Sequence, residues 1–326
     1  MAEYISIKGT RILNVASDPA NPTTGQIWYN STSETLKGLI FQTASWSSGG
    51  ALNTARYELG SAGTQTAALG FGGDIPGGHT ANSEEYNGTA WSEGNNLGTS
   101  RYYLRGAGTQ TAGLGFAGYI YPGSWKNNTE EYDGTSWSPQ NNMGTARRSP
   151  GSGGTQTAGL AFGGNKSPGG ALSNDTEEYG GASWTAGNNL NTARVYLGGA
   201  GTQAAGLAFG GFTDANVAVT EEYDGTSWAN SNNMNTARKE SGSSSGTQTS
   251  AIVFGGSIRT ANVAVTEIYD GTSFSNDATM GTARGYLRGM GSTTAGLGVG
   301  GYVTANSVLT EEYTGAAAGT VTIDPV

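Results

Sequence analysis

Apolar residues gather along this chain in short runs at one recurring place, not in a helical stripe. The clearest copies are Ala-Gly-Leu-Ala-Phe at 158–162 and again at 205–209. A run of that length bounded by turn residues predicts a strand buried on both faces. It ends in a glycine pair, as in Phe71-Gly72-Gly73, Phe162-Gly163-Gly164, Phe209-Gly210-Gly211 and Phe254-Gly255-Gly256, with drifted copies Phe116-Ala117-Gly118 and Val299-Gly300-Gly301. A variable stretch follows, then Glu-Glu-Tyr or Glu-x-Tyr, with tyrosine at 86, 132, 179, 223, 269 and 313. Neighbours in a strand point to opposite faces, so each glutamate pair is expected to split. Asn87-Gly88, Asp133-Gly134, Asp224-Gly225 and Asp270-Gly271 come next and suit type I′ hairpins. Five residues beyond each tyrosine stands an aromatic: Trp91, Trp137, Trp184, Trp228 and Phe274. The sixth copy runs Gly315-Ala316-Ala317-Ala318-Gly319 instead.

The cycle restarts at Arg56, Arg101, Arg147, Arg194, Arg238 and Arg284, in steps of 44 to 47 residues. A short segment after each arginine, such as Tyr57-Glu58-Leu59-Gly60, reads as the innermost strand, where small residues relieve crowding. Gly-Thr-Gln-Thr or a variant then begins at 63, 108, 154, 201, 246 and 291. A period of 40–50 residues built of strands predicts a β-propeller, whose units bury their faces against one another. In sequence, Arg147, Gly163-Gly164, Glu131-Tyr132-Asp133, Trp137 and Met143 resemble the kelch motif, and the resemblance extends over about residues 44–326. The expected fold is all-β: a six-bladed kelch-like β-propeller at 44–326, with a short β-hairpin segment at 1–43. Trp46 stands ten residues before Arg56, as Trp91 stands ten before Arg101. The N-terminal strand is therefore expected to close the last blade, with Thr320-Val321-Thr322-Ile323 as its competitor. The variable connections, at 74–82, 119–128, 165–175, 212–219, 257–265 and 302–309, should share one face with the arginine segments. Binding usually lives on such loops.

The first fifty residues follow a different pattern. Gly25-Gln26-Ile27-Trp28-Tyr29-Asn30 and Thr35-Leu36-Lys37 read as a hairpin around Ser31-Thr32-Ser33-Glu34. Together with Asp18-Pro19, Asn21-Pro22 and Trp46, they resemble a short module near the N-termini of tail-fibre and other virion proteins of tailed bacteriophages. The resemblance implies a virion structural protein, a tail or tail-appendage component located in the virion. Its N-terminal segment would dock to other tail proteins and its propeller would present loops for assembly or host attachment.

Composition narrows the chemistry. Glycine supplies 56 of 326 residues, against roughly 7% in ordinary proteins, and the repeat assigns many of these to turns. There is no cysteine and one histidine, His79. Thiolate or histidine metal centres and a Ser-His-Asp triad are therefore not expected, nor is the Cys, Tyr and His ligand set of a kelch-type copper oxidase. No cofactor, metal site or catalytic residue is assigned. The net charge is −9, which lacks the basic footprint of a nucleic-acid binder. No apolar run is long enough to insert in a membrane, and Met1–Gly9 lacks a signal-peptide core.

The six arginines are read as structural, paired with the repeated glutamates or with backbone carbonyls. Trp46, Trp91, Trp137, Trp184, Trp228 and Phe274 are read as wedges between blades. Tyr119, Tyr121 and Trp125 with Lys126, in the second variable connection, form the leading candidate for binding a partner. Phe212 and Tyr302 open other connections and join them. Exposed aromatics stack on sugar rings or anchor interfaces, so a host-surface glycan is a candidate partner. A lectin-like module and a glycan-degrading enzyme are the alternatives.

Overall fold

The computed structural model describes residues 12–243 and 246–323, so residues 1–11 of the expected N-terminal segment lie outside the described residues. The described residues are all-β, without a helix, and divide into two compact units. One holds Ser45–Thr314; the other joins the chain up to Ala44 with the chain from Gly315 onward.

In the larger unit the described residues form six four-stranded antiparallel sheets, one per repeat. Sheet 2 is typical: Arg105–Gly108, Gly113–Phe116, Thr129–Tyr132 and Trp137–Gln140 lie side by side in that order. Its register sets Gly108 against Gly113, Gly113 against Tyr132 and Tyr132 against Trp137. The second strand of each sheet, the apolar run of the sequence, is almost wholly buried. Glycine in the first strand is enforced by packing: a Cβ on Gly60 would sit 2.2 Å from Cε2 of Phe71, and one on Gly106 would sit 2.3 Å from the Ser61 carbonyl oxygen.

Successive sheets are tied by aromatic contacts. Phe71 meets Trp137 at 4.7 Å, Phe116 meets Trp184 at 5.0 Å, Phe162 meets Trp228 at 4.9 Å and Phe254 meets Trp46 at 4.8 Å. Edge-to-face and tilted pairs of this kind add about 1 kcal/mol each to the area they bury. Each tryptophan also donates its indole hydrogen to a hydroxyl of the preceding sheet: Trp137 to Ser83, Trp184 to Thr129, Trp228 to Thr176 and Trp91 to Thr310.

Sheet 6 consists of Arg288–Gly291, Ala295–Val299, Thr310–Thr314 and Ser45–Ser48. Its outer strand comes from the other end of the sequence, with Trp46 opposite Tyr313. The Trp46 indole donates to Thr266 and to the Ala278 carbonyl. An alanine-glycine stretch has no ring to fill that place.

The C-terminal strand, Ala317–Thr322, instead pairs with Thr35–Gln42 in the smaller unit. The expected boundary at 44–326 therefore shifts, and residues from 315 onward belong with the hairpin. The sheet order there is Leu13–Val15, Ile27–Asn30, Thr35–Gln42, Ala317–Thr322. Trp28 is fully buried, and its indole donates to Asp18 at 3.0 Å. Asn30 and Lys37 hold the same carboxylate at 2.7 and 2.8 Å. Hydrogen bonding, from Lys37 foremost, pulls the Asp18 pKa down to about 2.

Candidate functional site

The repeated charges are consumed by the scaffold. Arg56 meets Glu84 at 2.6 Å, Arg147 meets Glu177 at 2.7 Å, and Arg238 and Arg284 meet Glu267 and Glu311 at 3.0 Å. Arg101 and Arg194 pair with Glu130 and Glu221. All six guanidinium groups are buried. Burial presses their pKa down and the facing carboxylate presses it back up; an arginine remains charged under such pressure. Backbone carbonyls complete the shell, as where Arg147 donates to Gly163 and Asp175. The second glutamate of each pair faces the other way: Glu85 accepts from the Tyr132 hydroxyl and Glu131 from that of Tyr179.

The variable connections meet the segments that follow the arginines. Backbone pairing joins Tyr57 to Asp74, Tyr102 to Tyr119, Arg148 to Asn165, Val195 to Phe212, Lys239 to Ser257 and Gly285 to Tyr302. One residue further on stand Glu58, Tyr103, Ser149, Tyr196, Glu240 and Tyr286, all with φ between 50° and 61°. The left-handed region costs a side-chain-bearing residue about 1–2 kcal/mol. Hydrogen bonds hold it in place. Glu58 N–H donates to Tyr286 O, Tyr286 to Glu240, Glu240 to Tyr196, Tyr196 to Ser149, Ser149 to Tyr103 and Tyr103 to Glu58, at 2.9–3.3 Å. The six bonds form a closed circuit.

The sequence pattern placed these residues inside the innermost strand. They precede it, and strand pairing begins at Gly60. The available signal was the large Glu or Tyr side chain that five of the six repeats carry at this position amid small ones, Ser149 being the exception.

Side chains around the circuit are strongly aromatic on one arc. Tyr57 contacts Tyr286 at 5.4 Å and Tyr302 at 5.7 Å. Tyr102 contacts Tyr103, Tyr119 and His79 at 4.6, 5.5 and 6.0 Å, and Tyr103 contacts Tyr196 at 5.9 Å. Two cations stack on rings of the same cluster. The Arg148 guanidinium lies over Tyr103, Tyr119 and Trp125, and the Lys239 ammonium over Tyr196 and Phe212. Glu58 is buried between Arg105, at 3.1 Å, and Arg288. Glu240 is buried with the Lys239 ammonium at 3.5 Å. Desolvation, reinforced by the charge of Glu58, raises its pKa to about 7. Burial also raises the Asp74 carboxyl.

Of the residues singled out from sequence, Tyr119 and Trp125 sit together, with ring centroids 5.4 Å apart. Phe212 lies under Lys239, and Tyr302 beside Tyr57 is 37% exposed. Tyr121 stands away from them in the turn between Tyr119–Ile120 and Ser124–Trp125, 72% exposed. Lys126 contributes its backbone, donating to Gly118 and accepting from Arg147. Arg148, Lys239 and Glu240 went unnoticed because they adjoin the repeated arginines without belonging to the repeat.

A small cavity of about 70 Å³ lies among the first strands, lined by Ser61, Arg105, Ser152 and Arg288 with many glycines and alanines. Among the described residues, no cluster of His, Asp or Glu is arranged to hold a metal ion, and no helix is long and apolar enough to cross a membrane. No family model and no curated protein matches this chain in sequence.

Proposed function

We propose that the larger unit is a six-bladed kelch-like propeller that binds a host-surface glycan through its loop side, as a tail or tail-appendage component of a tailed phage. The closed circuit of backbone bonds, and inter-sheet ties that recur between last and first sheets, support the six-bladed reading. The observation that carries the binding reading is an asymmetric aromatic cluster, with stacked cations, on a scaffold whose repeated charges are already paired. Rings bearing hydroxyls offer apolar faces to pyranose rings and polar edges to their hydroxyls.

Binding is favoured over cleavage by the state of the carboxylates. Glycoside cleavage needs two that reach the scissile bond. Both oxygens of Glu240 are buried, and Glu58 is clamped by two arginines. The tail assignment rests on the resemblance of the N-terminal hairpin, which would then attach the protein to other virion proteins.

Two measurements test this. Mass spectrometry of purified particles should find the chain in fixed stoichiometry. The purified protein should retain host polysaccharide without shortening it. Absence from particles would sink the tail assignment, and failure to bind any saccharide would sink the glycan reading.

A further inference from the structure

Arg148 is the feature left unexplained by the scaffold. It follows Arg147 directly, and the two have opposite fates. Arg147 is buried against Glu177. Arg148 lies among three rings, 5.2 Å from the centroids of Tyr103 and Tyr119 and 5.7 Å from that of Trp125. No carboxylate among the described residues lies within ion-pair distance of it. Its Nε is buried without a hydrogen-bond partner, as is Nε1 of the adjoining Trp125.

The rings hold the guanidinium in one orientation and strip water from one side of it. Cation–π attraction of this kind offsets part of the desolvation, while a buried donor without a partner remains costly. A preorganised, poorly hydrated guanidinium fork matches a planar carboxylate in two-point contact. Lys239 differs, because Glu240 already stands at 3.5 Å from it.

Resting on the glycan-binding reading above, we infer that Arg148 is a specificity-determining residue that selects saccharides carrying a carboxylate, of the uronic- or sialic-acid class. Tyr102, itself buried, backs the cage by touching both Tyr103 and Tyr119, and the Tyr57–Tyr302 pair supplies hydroxylated rings for the uncharged part of such a ligand. The chain's charge of −9 works against polyanions such as nucleic acid or polyphosphate. A single carboxylate on a sugar meets less of that field and gains the local contact.

The full chain is titrated onto immobilised hexuronate-terminated and sialylated oligosaccharides, each beside its carboxyl-reduced counterpart, with dextran oligosaccharides and polyglutamate alongside. At least one acidic sugar should bind about 10–100-fold more tightly than its reduced form, the value of a charge-assisted contact. Arg148→Gln should bring that ratio towards one, chiefly by weakening binding of the acidic sugar. Arg148→Lys, which keeps the charge and loses the fork, should retain part of the preference, and Lys37→Gln, in the smaller unit, should retain all of it. Melting curves establish that each variant is folded; if Arg148→Gln is not, the wild-type ratio and the lysine variant decide. Equal binding of acidic and reduced sugars, a ratio unmoved by Arg148→Gln, or stronger binding of polyglutamate overturns the inference and leaves glycan binding standing. Binding of polyglutamate alone, or of nothing, overturns both.

Discussion

The hydroxyl of Tyr86, in the first sheet of the larger unit, donates to Glu312, in the last, at 2.5 Å. The same bond joins neighbouring sheets along the chain: Tyr132 to Glu85, Tyr179 to Glu131, Tyr223 to Glu178 and Tyr269 to Glu222. The junction between the ends of the repeat array thus uses the same chemistry as the junctions inside it. Tyr86→Phe and Tyr132→Phe should therefore cost similar stability, about 1.5–3 kcal/mol for a bond to a charged acceptor. Urea denaturation of the two variants measures this. A silent Tyr86→Phe beside a costly Tyr132→Phe would mean the terminal junction contributes nothing.

The sheet of Gly242–Ser243, Ala251–Phe254, Thr266–Tyr269 and Phe274–Asp277 departs from the pattern at one position. Ile268 stands where its counterparts carry the second glutamate, and the Tyr313 hydroxyl donates instead to Asp277 at 2.9 Å. Asp277→Ala should destabilise by about 1–3 kcal/mol by orphaning that hydroxyl. Adding Ile268→Glu should restore most of the loss, because it returns the acceptor to the place the other sheets use. Thermal melts of the single and double variants check this, and lack of rescue would show that the sheets are not equivalent there.

Breaking one arginine–glutamate pair should be far more damaging than losing an exposed one. Glu177 accepts from Arg147 at 2.7 Å and from the Gly144 N–H at 2.7 Å. Glu177→Gln leaves a buried guanidinium without its countercharge, at an expected cost of about 3–5 kcal/mol. Lys37→Gln, at a partly exposed pair with Asp18, should cost under about 1 kcal/mol. Chemical denaturation of both separates the two cases, and a small loss in Glu177→Gln would contradict the structural role given to the repeated arginines.

Glu240 should make stability fall as pH rises. Its groups of contact or influence are Lys239, Glu58, Tyr286 and Tyr196, and its pKa moves from 4.5 to about 7 on folding. The folded protein holds this proton more tightly than the unfolded chain. Its contribution is present in full below pH 4.5 and is lost as pH climbs through 7, by roughly 3 kcal/mol in total. Glu240→Gln keeps the neutral form at every pH, so it should match the parent at pH 4 and exceed it in stability at pH 8. Equal pH profiles for the two proteins would refute the buried-acid description.

The sequence by itself determined the strand content, the repeat length and the residues that tie each unit together. Period-two alternation and turn chemistry act over a few residues, so Phe162-Gly163-Gly164, Glu177-Glu178-Tyr179 and Trp184 could be assigned roles in one unit and carried to the rest. The pairing of the glutamates with opposite sides of their strand follows from the same local geometry. Tertiary structure decided what lies far apart along the chain. Trp46 takes the outer place in the last sheet because it brings a ring to Phe254 and Tyr313, while Ala317–Thr322 pairs with Thr35–Gln42. It also decided the candidate site. Arg147 and Arg148 are adjacent in one strand; the repeat and the alternation of faces set them apart, but neither says what Arg148 meets. One is neutralised by Glu177 and the other is caged by Tyr103, Tyr119 and Trp125 of the preceding repeat, because the bond from Ser149 N–H to Tyr103 O, one of the six in the closed circuit, brings the start of one repeat against the start of the one before it.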